Sequence, residues 1–175
     1  SKLDADKRGR LVFVSKSNGQ DALYIYSLEE KRVLARHQFK ELVTLHSPNW
    51  SPEGERIVFS GNSFAGMHDL YILDLGTNAL RKLTNDFYDD RDPAWSPDGK
   101  VIAFSSDRTE VGRKGAHNIF YYHLESGNIE YATFGEHHDY APAWSPDGKF
   151  LALTSDRDGV YNIWVMQAQH ADVQV

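Results

Sequence analysis

Apolar residues fall in short runs, such as Val101-Ile102-Ala103-Phe104 and Ile119-Phe120-Tyr121-Tyr122, rich in β-branched and aromatic side chains and bounded by turn residues. Runs of this length and make-up predict strands, and no stretch carries a helical period. In the unit that starts at Asp92, Pro93–Trp95 is a first extended piece and Ser96-Pro97-Asp98-Gly99 a turn with proline and glycine at the positions type I chemistry favours. Val101–Ser106 then predicts a second strand, Asn118–Leu124 a third and Ile129–Thr133 a fourth. One unit is therefore a four-stranded antiparallel meander.

The unit recurs. Trp50-Ser51-Pro52-Glu53-Gly54, Trp95-Ser96-Pro97-Asp98-Gly99 and Trp144-Ser145-Pro146-Asp147-Gly148 follow one another at spacings of 45 and 49 residues. Periods of this size predict a repeat architecture. The units divide the chain at about 1–45, 46–90, 91–139 and 140–175. The first is a degenerate copy whose tryptophan position falls on Asp4, so its first strand and turn are expected to be missing. The last is incomplete, with only the stretch from Gln167 onward left for a fourth strand. From tryptophan to the start of the third strand takes 19, 23 and 18 residues, against 26 residues from there to the next tryptophan in both cases. Insertions thus collect between the second and third strands, where a repeat fold carries a variable face.

These motifs, together with Tyr71-Ile72-Leu73-Asp74, Leu83-Thr84, Asp90-x-x-Pro93-x-Trp95 and the Ser-Asp-Arg of 106–108 and 155–157, resemble the TolB-type β-propeller repeat. The resemblance is strong over about 46–167 and weaker before that. It implies an all-β propeller of four-stranded blades, about four of them visible, forming part of a larger ring, usually six-bladed, with a closed four-bladed ring or an arc completed by a second chain as the alternatives. It implies that the tryptophans pack between neighbouring sheets, and that the Asp-Arg pairs after the second strand hold the next turn. A periplasmic or secreted location follows from the resemblance, with a cytoplasmic one as the alternative.

Composition narrows the function. A net charge of −6 supplies no broad cationic footprint, so nucleic acid is not an expected partner. No apolar run reaches the roughly 20 residues a membrane helix needs, and direct membrane insertion is not expected. The absence of cysteine excludes disulfides, thiol nucleophiles and thiolate metal sites. Residues 1–45 hold nine Lys/Arg against six Asp/Glu, whereas the remainder holds ten against nineteen.

In a propeller, the loops into the first strand and those between the second and third strands share one face. That geometry gathers His46, Asp89, Asp90, Arg91, Asp92, Glu136, His137, His138, Asp139 and Tyr140 at a channel mouth, as the candidate partner-binding residues. An acidic mouth predicts a basic or metal-bridged partner. The reading is a non-catalytic scaffold that holds another protein or peptide there, with self-association completing the propeller as a further way to pair. No cofactor is expected. A divalent calcium at Asp86, Asp89, Asp90 and Asp92, or a manganese-type metal at His46, His137, His138 and Asp139, is the lesser alternative. No Gly-x-Ser-x-Gly elbow is present. The resemblance also leaves open a gating propeller of a prolyl-oligopeptidase-type serine peptidase and, third, a metal-dependent enzyme like the oligogalacturonate lyases. The lyases' histidine before the Ser-Pro turn is not matched here, where Tyr140-Ala141-Pro142 stands.

Overall fold

A computed structural model describes residues 2–168 apart from 65, 111, 113 and 114. It holds four antiparallel sheets, each hydrogen-bonded in chain order. The first contains β1 (Leu3–Ala5), β2 (Arg10–Ser17), β3 (Gln20–Ser27) and β4 (Arg32–His37). The second contains β5 (Thr44–Trp50), β6 (Arg56–Asn62), β7 (His68–Asp74) and β8 (Leu80–Lys82). β9 (Arg91–Trp95), β10 (Val101–Ser106), β11 (Asn118–His123) and β12 (Ile129–Tyr131) form the third. The fourth has β13 (Asp139–Trp144), β14 (Phe150–Ser155) and β15 (Asn162–Gln167). The fourth strand expected from the tail lies outside the described residues.

Core residues lie between sheets rather than inside any one of them. Val12, Leu23 and Ile25 of the first sheet pack with Trp50, Ile57 and Phe59 of the second. Val58, Leu70 and Ile72, from the opposite side of the second sheet, pack with Trp95, Ile102 and Phe104 of the third. Val101, Ala103 and Tyr121 then meet Leu151 and Leu153 of the fourth. Alternate residues of β6 and β10 face different neighbours, which is why these strands read as unbroken apolar runs. The sheets pack consecutively into an arc. At its far end Ile163 and Val165 of β15 are 73% and 65% exposed, the outward side of an otherwise interleaved stack.

Each tryptophan stands opposite the second residue of the next strand, a core position: Trp50 opposite Ile57, Trp95 opposite Ile102, Trp144 opposite Leu151. The turns between them are stitched by the serine, whose Oγ accepts the N–H of Arg56, Val101 and Phe150 at 3.0, 3.0 and 2.9 Å. Gly54, Gly99 and Gly148 sit at φ of 72–73°, the left-handed turn position that glycine enters without steric cost.

The first unit is more complete than the sequence suggests. β1 exists, and Ala5 rather than Asp4 takes the tryptophan's place opposite Leu11. Its turn is one residue shorter, and Asp6 stands where the other copies have serine, accepting the N–H of Arg8 and Arg10 at 3.1 and 2.8 Å. Asp4 does a different job. Its Oδ2 accepts the N–H of Trp50 at 2.7 Å and the side-chain amide of Asn49 at 2.9 Å, tying the first sheet to the second. Asn49 repeats the link one sheet on, its Oδ1 accepting the N–H of Trp95 at 2.7 Å.

Candidate functional site

The innermost strands β5, β9 and β13 carry one irregularity in common. Three residues before each tryptophan the backbone enters the left-handed region: Ser47 at φ 48°, Asp92 at 49° and Ala141 at 50°. The ladder slips at this point in all three sheets. Non-glycine residues pay for this conformation, and its recurrence at matched positions marks a built feature of the inner strand.

The residues at and just before the slip converge. His46, Arg91 and Tyr140 occupy the same position, four before the tryptophan, in three consecutive sheets. Together with Ser47, Asp92, Ser60 and His68 they line a cavity of about 370 Å³. Ser47 Oγ donates to Asp92 Oδ1 at 2.6 Å, joining two neighbouring strands across the cavity wall. The His46 and His68 rings meet edge to face at 5.4 Å. Partial removal from water at the cavity rim, aided by the neighbouring His68, lowers the pKa of His46 and favours the neutral imidazole.

Behind this wall Asp89 acts as a hub. Its carboxylate bonds His68 Nδ1 at 2.7 Å and Arg91 Nε at 2.6 Å, with His117 Nε2 at 3.6 Å. Burial works against its charge, yet the nearby His117, the hydrogen bond with His68 and the charge of Arg91 hold its pKa far below the usual carboxylate range. His117 moves the other way: burial opposes its protonation, but Asp89 and the Gly115 carbonyl outweigh it and raise its pKa. Tyr140 contacts His117 through its hydroxyl at 3.3 Å.

Other members of the sequence-predicted set serve the frame. Asp90 and Asp139, both with fully buried carboxylates, are clamped by Arg108 (2.7 and 2.8 Å) and Arg157 (3.2 and 3.3 Å). Asp107 and Asp156 accept the N–H of Asp89 and His138 at 2.8 and 2.6 Å. The Asp-Arg pairs after the second strand therefore reach back to the entry of the first strand of their own sheet instead of holding the next turn. His138 pairs with Asp156 at 2.9 Å and His137 with Asp139 at 3.2 Å. Glu136 is exposed on the loop before β13 and does not border the cavity.

The residues named for the metal alternatives have other partners here. Among the described residues no three His, Asp or Glu side chains are grouped as a metal would need. The positions proposed for calcium are otherwise engaged: Asp86 and Asp90 by Arg108, Asp89 by its histidines and Arg91, Asp92 by Ser47. Ser47, Ser60, His68 and His117 escaped the sequence reading. A signal for two of them was there, since His68 and His117 both immediately precede the first residue assigned to a third strand, Asp69 and Asn118.

Linkage gives the hub a pH signature. A histidine whose folded pKa is raised contributes stability that is full below its unfolded value of about 6.5 and is lost as pH rises through the folded value. Asp89, depressed on folding, contributes above about 3.9 and loses that only as pH falls through its much lower folded value. The stability difference between the native protein and His117→Gln is therefore expected to be largest between about pH 4 and 6.5 and to shrink towards about pH 9. Urea midpoints measured across that range check it; a difference independent of pH would mean that His117 acts by packing alone.

The model of the TolB beta propeller domain family matches residues 5–175. The crystal structure of TolB from Acinetobacter baumannii superposes with a TM-score of 0.78 at 26% identity, covering 96% of this chain and 41% of that one. A protein of Agrobacterium tumefaciens described as a TolB gives 0.74 at 22% identity, over 91% of this chain and 57% of that one. The tricorn protease gives 0.63 at 22% identity, over 93% of this chain and 16% of its own, which shows the shared fold. No curated protein sequence matches the chain. The chain thus spans less than two thirds of the length of these TolB structures.

Proposed function

The chain belongs to the TolB beta-propeller domain family, and on that premise we propose that it is a non-catalytic interaction module. A segment of another protein or peptide enters the channel mouth and is held there. The observation that supports this is the cavity built from matched positions of three consecutive sheets, His46, Arg91 and Tyr140. Its floor is rigid, because the strands that carry it are braced by buried Asp-Arg clamps and inter-sheet hydrogen bonds. Its wall residues differ from sheet to sheet, where the structural positions repeat. Rigid presentation of varied side chains lowers the ordering cost of capturing a flexible segment. The family likeness makes the periplasm or the exterior of the cell the proposed place of action.

Peptide display against the purified chain tests the proposal. Enriched peptides are expected to lose at least about tenfold in affinity for His46→Trp, which fills the cavity from an exposed position at its rim. If no peptide is enriched, or His46→Trp binds the enriched peptides unchanged, the proposal fails. The second reading, a gating propeller of a serine peptidase, draws on the fold shared with the tricorn protease and with a puromycin hydrolase, the latter at 15% identity over 93% of this chain. An α/β-hydrolase segment in the same reading frame would favour it.

A further inference from the structure

We propose that the group this cavity receives is a carboxylate, carried by the partner and held between Arg91 and His46. The proposal rests on the mouth being a binding site, as argued above, and reverses the sign of the partner that the acidic sequence around it suggests.

The reversal comes from counting which charges are already spoken for. Asp89 bonds Arg91 and His68 and lies beside His117. Asp90 and Asp139 are buried against Arg108 and Arg157. Asp21, whose carboxylate accepts the N–H of Leu45 next to His46, is paired with Lys16 at 2.7 Å. Asp92 is the one carboxylate among the lining residues, and its Oδ1 accepts from Ser47. Most of the acidity that the sequence displays in this region is thus consumed by the frame; Asp92 keeps its charge at the cavity wall, with its Oδ1 engaged by the Ser47 hydroxyl.

The donors stand differently. Arg91 engages Asp89 through Nε, and its side chain is 49% exposed where it borders the cavity. A guanidinium held by its Nε edge keeps its planar fork oriented, and that fork matches the two oxygens of a carboxylate. His46, with a neutral ring, offers an N–H, and Tyr140 a hydroxyl, from the equivalent positions of the flanking sheets. Three donors of graded strength therefore surround one space. At about 370 Å³ it lies at the small end for ligand pockets, room for one side chain or a chain terminus.

Two sources carry the same chemistry: the side chain of Asp or Glu, or the terminal carboxylate of a polypeptide. Blocked probes separate them. N-acetylglutamate α-methylamide presents the first and N-acetylglycine the second, while N-acetylglycinamide and N-acetyllysine methylamide are the neutral and cationic controls. Each is titrated into the full chain while the imidazole resonances of His46 are followed by NMR. The carboxylate probes are expected to give saturable shifts, the tighter one identifying the source, and the controls none. Arg91→Gln is expected to weaken carboxylate binding by about tenfold or more, with Arg91→Lys, which keeps the charge and loses the fork, in between. Shifts produced by the lysine probe but not by carboxylates would overturn the proposal, as would carboxylate binding unchanged in both Arg91 variants. Peptides captured at the mouth without carboxylate binding would sink this inference alone; capture of no peptide would remove the reading beneath it.

Discussion

Arg108→Met is expected to destabilise the protein by about 3–5 kcal/mol, because it strands a charge where no water can reach it. Asp90 has a fully buried side chain and Arg108 one only 11% exposed, bonded through two contacts of 2.7 and 2.8 Å. Burial pushes the Asp90 carboxyl up, and Arg108, whose Nη2 donates to both carboxylate oxygens, works against that rise. The same guanidinium lies over Phe104, Phe120 and Tyr88 at 5.2–5.6 Å, so methionine keeps part of the packing and the loss isolates the charge.

The second sheet supplies a control already present in the molecule. The position five before the tryptophan is Asp90 in the third sheet, Asp139 in the fourth and Leu45 in the second. Leu45 is 2% exposed and belongs to the core between the first two sheets. An apolar residue is therefore compatible with this place in the blade. Asp90→Leu combined with Arg108→Met is expected to recover most of what Arg108→Met alone loses, since a well-packed apolar pair commonly replaces a buried ion pair at little cost. Arg157→Met should cost less than Arg108→Met, because Arg157 is 30% exposed and its contacts to Asp139 are 3.2 and 3.3 Å. Urea unfolding of the three variants measures all of this. A single Arg108→Met loss below about 1 kcal/mol would show that water or another cation compensates Asp90.

The same positions show how far the sequence could be read. The architecture was legible because a large aromatic, a tight turn and an apolar run recur together, and each has one structural solution. The first strand was not, because Ala5 and Asp6 replace Trp-Ser and the turn is shorter by one residue. Nothing local marks a strand whose anchor has been replaced. At the mouth, His46, Arg91, Asp92 and Tyr140 were legible from topology alone, since first-strand entries must face the channel. Asp90 and Asp139 were misplaced for a physical reason: their partners lie 18 residues on, and a carboxylate exposed in an entry loop looks identical in sequence to one sealed against an arginine. Ser60 and His68 were missed because they reach the cavity from the ends of β6 and β7, strands that read as core.

Trp95→Ala is the second large loss expected, about 3–5 kcal/mol, and here the cost is volume. Trp95 is 6% exposed and fills the space between the second and third sheets against Val58, Leu70 and Ile72. Arg56 of the second sheet covers the ring at 4.7 Å, so both sides of the indole contribute to joining the two sheets. Its buried indole nitrogen has no hydrogen-bond partner among the described residues. The ring is thus held for its size and shape, and Trp95→Phe, which loses part of the volume and no hydrogen bond, is expected to cost clearly less than Trp95→Ala. Trp144 makes the informative contrast. It is half-buried, stacks on Tyr121 at 5.4 Å and donates its N–H to the Ala94 carbonyl at 3.1 Å. For Trp144→Phe the lost hydrogen bond adds to the lost volume, leaving a buried carbonyl without that donor at about 1 kcal/mol. The conservative change should therefore recover a larger share of the alanine loss at 95 than at 144. Denaturation followed by far-ultraviolet circular dichroism, which does not depend on the removed indole, gives the four values. Equal recovery at the two positions would mean that the Trp144 hydrogen bond contributes nothing, and that these two tryptophans are interchangeable spacers between sheets.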